Sequence, residues 1–170
     1  SDAVSFDIAS GPAPLVVPNL GVLNDAFLTD AENLQVGNDL RLGDDFSTGS
    51  QGGRLEIADG ASIDRRDSGN TSNDVLDEEP VFLGTYDLIY GNGNDNDFSS
   101  GRELTTDAAA LSDLTISTGS NGSVYLGTSP VSADATVNNL LDLNSGDLDY
   151  GRQLVIADGG TVERTGSLSG

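Results

Sequence analysis

Hydrophobic residues in this chain fall in short alternating runs, separated by Gly, Asp, Asn and Ser. Asp39-Leu40-Arg41-Leu42-Gly43, Asp87-Leu88-Ile89-Tyr90-Gly91 and Leu141-Asp142-Leu143-Asn144 alternate with a period of two, as half-buried strands do. Ala3 to Ile8, Val81 to Leu83, Leu114 to Ser117 and Val124 to Leu126 read the same way. Helical pattern is scarce. Thr106 to Leu114 predicts one short helix, with Thr106 or Asp107 as its N-cap, and Thr136 to Leu141 at most a helical turn. The fold class expected is mainly β, a sandwich or a stack of hairpins.

One pattern returns three times. Gly53-Arg54-Leu55, Gly101-Arg102-Glu103-Leu104 and Gly151-Arg152-Gln153-Leu154 are spaced by 48 and then 50 residues. An alternating piece precedes each, and an acidic-aromatic step lies between: Asp45-Phe46, Asp97-Phe98 and Asp149-Tyr150. From Leu55 to Arg65 and from Leu154 to Arg164, six of eleven positions are identical. The repeat-like segments run at about 39–65, 87–113 and 141–167, within a single β domain at 21–170. A period near fifty also suits propeller blades, but three copies are too few to close a propeller. Residues 1–20 hold Pro12, Pro14 and Pro18 and are expected as an extended N-terminal arm.

Ala58-Asp59-Gly60-Ala61 and Ala157-Asp158-Gly159-Gly160 carry the Asp-Gly pair of a tight hairpin, because both residues tolerate positive φ. A three-residue loop would pair Ile57 with Ile63 and Ile156 with Val162, keeping one face apolar. Gly119-Ser120-Asn121-Gly122 reads as another hairpin connection.

Charge changes the picture most. The 170 residues hold 28 Asp and Glu against seven cations, all Arg, for a formal charge of -21. Such a molecule repels itself in dilute buffer. Molar salt shortens the screening length to about 3 Å at 1 M and makes that charge tolerable. A surface with short carboxylates and no Lys therefore points to a halophile. A secreted protein whose carboxylates are neutralised by bound calcium is the other reading. Nucleic acid is excluded as a partner, because every phosphate would be repelled. No apolar run is long enough to insert in a membrane as a helix.

Without His or Cys, serine-hydrolase triads, thiol catalysis and ordinary zinc sites fail on inventory. Paired carboxylates remain, but a chain without Trp has little to stack a sugar ring on, so no catalytic residue is expected. Asn92 to Glu103 places Asn92, Asn94, Asn96 and Glu103 at positions 1, 3, 5 and 12 of a calcium loop. Asn at position 1 and Asp97 at position 6 depart from that pattern. A looser oxygen site would use Asp95, Asp97 and Glu103, with calcium as its ion. A solvated turn is the plainer reading.

The expected function is a non-enzymatic structural subunit of a halophile's protein assembly. This means a virus capsid or capsid-decoration protein, or a cell-surface filament or sheath subunit, and hence a virion or extracellular location. Its partners would be further copies or other shell subunits, held together in high salt or by divalent cations. Ala3, Val4, Ser5, Phe6, Asp7 and Ile8 would add a strand to a neighbour's sheet. Arg54, Arg102 and Arg152 would meet acidic patches, in their own fold or on a neighbouring subunit. The alternative is a calcium-dependent adhesion or carbohydrate-binding module.

Overall fold

The computed structural model describes residues 4–6, 14–22, 26–28, 33–43, 46–47, 53–66, 76–91, 95–126, 134–150 and 153–165. Those residues form a β-solenoid, in which the chain winds through stacked coils and every strand pairs in parallel with strands of the coils beside it. The first coil holds β1 (Val4–Phe6) and β2 (Leu15–Val22), and the second β3 (Ala26–Leu28) and β4 (Asn33–Leu42). The third holds β5 (Phe46–Ser47), β6 (Arg54–Ile57) and β7 (Ala61–Arg65). The fourth contains β8 (Val81–Phe82) and β9 (Tyr86–Tyr90), the fifth β10 (Phe98–Ser99) and β11 (Leu111–Ser117). The sixth has β12 (Ser123–Leu126), β13 (Ala135–Val137) and β14 (Leu140–Ser145). The seventh has β15 (Asp147–Tyr150), β16 (Leu154–Ile156) and β17 (Thr161–Glu163).

One sheet runs the length of the stack through seven rungs: β2, β4, β7, β9, β11, β14 and β17. The offset between neighbouring rungs ranges from 19 residues (Leu15 to Leu34) to 28 (Ser117 to Ser145). Parallel neighbours cannot be joined by a tight turn. Here the connection is the rest of the coil, which supplies the strands of the other faces. Alternation then sorts the side chains. Leu20, Leu40, Ile63, Leu88, Leu114, Leu141 and Val162 stand in register in one inward ladder. Leu40, Ile63, Leu88 and Leu114 are fully buried within it. Outward, Arg41, Asp64, Ile89, Thr115, Asp142 and Glu163 are likewise in register.

The expected β class holds, but the architecture is a solenoid and neither a sandwich nor a stack of hairpins. Ile57 does not pair with Ile63. It lies between Val36 and Phe82 of the adjoining coils, and Ile63 lies between Leu40 and Leu88. Asp59-Gly60 is a corner that redirects the chain within its coil, with Gly60 at φ +73°. Positive φ serves a corner as well as a hairpin, and both arrangements put Ile57 and Ile63 inside. Gly119 to Gly122 is likewise the corner between β11 and β12. Among the described residues there is no helix: Ala108–Ala110 form a turn and Leu111 already begins β11. Residues 15–20 of the expected arm lie in β2, paired with β4, and the register shifts at Pro18 on this edge strand.

The spacings of 48 and 50 residues correspond to two coils. Arg54 stands in the third coil, and Arg102 precedes the matching face of the fifth. Leu40, Leu88 and Leu141 occupy one inward position in the second, fourth and sixth rungs. The acidic-aromatic step needs realignment in the last coil. Phe98 stacks on Val124 and Val124 on Leu148, so Leu148, not Tyr150, holds the position of Phe98.

Candidate functional site

The acidic side chains of the described residues work largely as clips between coils. Asp59 accepts from the backbone N–H of Thr85 at 2.8 Å and from its hydroxyl at 3.1 Å. Asp95 accepts from the N–H and the side-chain amide of Asn121, at 3.0 and 2.9 Å. Those two bonds hold its carboxyl below the usual carboxylate range. Asp97 accepts from Ser123 N–H at 2.9 Å, Glu79 from the Thr105 hydroxyl at 2.9 Å, and Asp113 from the Asn139 amide at 2.7 Å. All five acids lie 26 residues before their donors, one coil away. A carboxylate is thus bound on one rung to a donor on the next, which adds charge-assisted bonds to a stack otherwise held by backbone ladders.

Asp95, Asp97 and Glu103 do not converge on a common point. Asp95 and Asp97 are exposed, whereas Glu103 is wholly buried and points into the interior. Asn92 and Asn94 lie outside the described residues. Among the described residues no group of three or more acidic side chains is placed to hold a metal ion.

Glu103 instead takes Arg65, the one buried cation among the described residues. Arg65 stands in an inward ladder between Leu42 and Tyr90, with no accessible surface. Its Nη1 lies 2.5 Å from Glu103 Oε1. The same oxygen accepts from the Tyr90 hydroxyl and from Gly101 N–H, each at 3.0 Å. The Tyr86 hydroxyl donates to the Glu103 backbone carbonyl at 2.7 Å. Burial, with Glu103 close by, pushes both tyrosine hydroxyls well above their ordinary pKa and keeps them neutral donors. The alternation Ala61, Ile63, Arg65 already points Arg65 inward, and that signal was available in the sequence.

The arginines of the repeat are dissimilar. Arg54 is exposed and lies 3.8 Å from Glu56 of its own strand; Arg102 is half-buried. Arg152 lies outside the described residues, as do Ala3, Asp7 and Ile8. Val4, Ser5 and Phe6 pair in parallel with Ala26–Leu28 of the same chain.

Apolar surface is uncovered in the first and last coils, and also at Leu83 in the fourth and Tyr125 in the sixth. Leu15 and Val16 in the first coil are 43% and 56% exposed, and Val162 in the last is 57% exposed. Below the last inward ladder, Leu141, Leu143, Leu148, Gln153, Leu154 and Ile156 line an open cavity of about 510 Å³. Among the described residues β2 and β17 are the outermost rungs of the long sheet, each paired on one side. Unpaired N–H and C=O groups on such a rung form a template for another strand. Leu15 and Val16 fall in the Pro-containing stretch whose composition reads as an arm, and this obscures them in the sequence. No protein-family model, curated protein or solved structure matches the chain.

Proposed function

We propose that this chain is a non-enzymatic structural subunit of a protein assembly that works in molar salt. It would be a capsid or capsid-decorating protein of a halophile's virus, or a subunit of a cell-surface filament or sheath. The observation that carries this reading is the open edge of β2 and of β17 among the described residues, with Leu15, Val16 and Val162 exposed on them. A protein that works as a monomer blunts such edges with charge, Pro or a covering segment. β2 holds Pro18 but no charged residue. A charge of -21 opposes association in dilute buffer, and high ionic strength removes that barrier.

The test is particle size by light scattering in 0.1 M and 3 M KCl, each with calcium or with EDTA. Large uniform particles in 3 M KCl, with or without calcium, are expected. A monomer in every buffer, compact only with calcium, overturns the reading in favour of a calcium-dependent binding module.

A further inference from the structure

The buried pair of Arg65 and Glu103 is bonded on one side only. Glu103 Oε1 takes three donors: Arg65 Nη1 at 2.5 Å, and the Tyr90 hydroxyl and Gly101 N–H at 3.0 Å each. The other oxygen, Oε2, is buried and meets no donor among the described residues. On the arginine, Nε and Nη2 are buried and meet no acceptor among them. Those two nitrogens share one edge of the planar guanidinium, so their N–H groups point side by side as a fork. Neighbouring hydroxyls cannot turn to help Oε2. Tyr90 gives its proton to Oε1, Tyr86 to the Glu103 carbonyl, and Thr105 to Glu79. Neither residue of the pair has accessible surface, and buried polar atoms without a partner cost stability.

We infer that this part of the core is a binding site for water, held by the Arg65 fork and by Glu103 Oε2. Donor and acceptor chemistry selects the ligand. The fork calls for an acceptor, and Oε2 calls for a donor. Chloride serves the fork but is repelled by the carboxylate beside it. Potassium serves Oε2 but is repelled by the guanidinium. Water accepts and donates, and it adds no charge to a pair whose own charges already cancel. The site therefore takes water and rejects both ions of KCl, however concentrated the salt outside. It differs in this from the acidic clips between coils, where the chain itself supplies the donor, as Thr85 does for Asp59.

A crystal structure of the full chain grown from rubidium bromide tests this, because both ions are marked by anomalous scattering and water is not. Density without anomalous signal is expected at hydrogen-bond distance, about 2.7–3.2 Å, from the Arg65 fork and from Glu103 Oε2. Bromide at the fork, or rubidium at Oε2, overturns the choice of water and makes the pair an ion site. The absence of any density, or side chains of the protein bonded to Nε, Nη2 and Oε2, overturns the site itself. In solution, oxygen-17 relaxation dispersion counts internal waters that exchange slowly with bulk. The Arg65→Met, Glu103→Leu double variant should hold fewer of them than the wild type. Equal dispersion in the two proteins would also overturn the inference.

Discussion

Arg65 and Glu103, 38 residues apart in sequence, meet inside the stack with guanidinium nitrogen and carboxylate oxygen 2.5 Å apart. Neither has accessible surface, and Arg65 occupies a ladder position that Leu42 and Ile116 fill elsewhere. Removing one partner leaves an uncompensated charge in the core. Glu103→Leu or Arg65→Met alone should therefore cost about 3–5 kcal/mol, while the double variant should regain most of the loss. Denaturant midpoints in 3 M KCl measure this. Equal loss in the single and double variants would show that the pair itself, and not its completeness, carries the stability.

Tyr86 and Tyr90 make the molecule sensitive to alkali. Their folded pKa values are raised, so both hydroxyls stay neutral in the fold at pH values where the unfolded chain ionises them. Stability from this source is full below the unfolded value near 10 and is lost as pH rises above it, by about 1.4 kcal/mol per pH unit for each tyrosine. Tyr90→Phe should lower stability at neutral pH, through loss of the bond to Glu103, and flatten the alkaline limb. A wild-type midpoint independent of pH from 9 to 11 would contradict this.

The outward face of the long sheet holds the opposite kind of strain. Burial first, and the neighbouring Asp113 second, raise the Asp87 carboxyl pKa. Stability is then highest where Asp87 is protonated and falls as pH rises through its folded pKa. Asp87→Asn should raise the thermal midpoint at neutral pH, with a gain of about 0.2–1 kcal/mol, and the gain should vanish in acid. No gain at pH 7 would mean that the two carboxylates do not repel across the rungs.

Two glycines at positive φ should respond differently. Gly60 has open space around its Cα, so Gly60→Asn, which accepts the left-handed region, should cost under about 1 kcal/mol. At Gly91 a Cβ would lie 2.7 Å from the Ser117 carbonyl oxygen of the next coil. Gly91→Asn should therefore cost about 2–4 kcal/mol, since backbone must move. Similar melting midpoints for the two variants would refute the close approach of these coils.

The sequence carries the strand alternation and the two-coil repeat plainly, because inward positions on a rung must be apolar whatever the connection between rungs. It does not separate a corner from a hairpin at Asp59-Gly60, since both need positive φ and both put Ile57 and Ile63 inside. Strand direction thus depended on pairing across about 25 residues, which no local pattern encodes. Glu103 stands in an Asn- and Asp-rich stretch and reads as a surface ligand; only its cross-coil partner Arg65 marks it as interior. Leu15 and Val16 are hidden by the prolines around them, although alternation through Val17 and Leu20 runs into the sheet.

The two-coil period also makes this molecule adjustable in length. Asp39 and Asp87 occupy one position two rungs apart. Ile63 and Leu114 are likewise two rungs apart in one ladder, and excising Ile63 to Asp113, 51 residues, would join Ser62 to Leu114 where Ile63 had stood and remove Arg65 together with Glu103. The first and last coils would keep their outer faces, and the rod would shorten by two rung spacings, about 9.6 Å. Duplication of such a unit lengthens it by the same step. Size can therefore drift in genetic time by whole two-coil modules while the surfaces at either end stay constant.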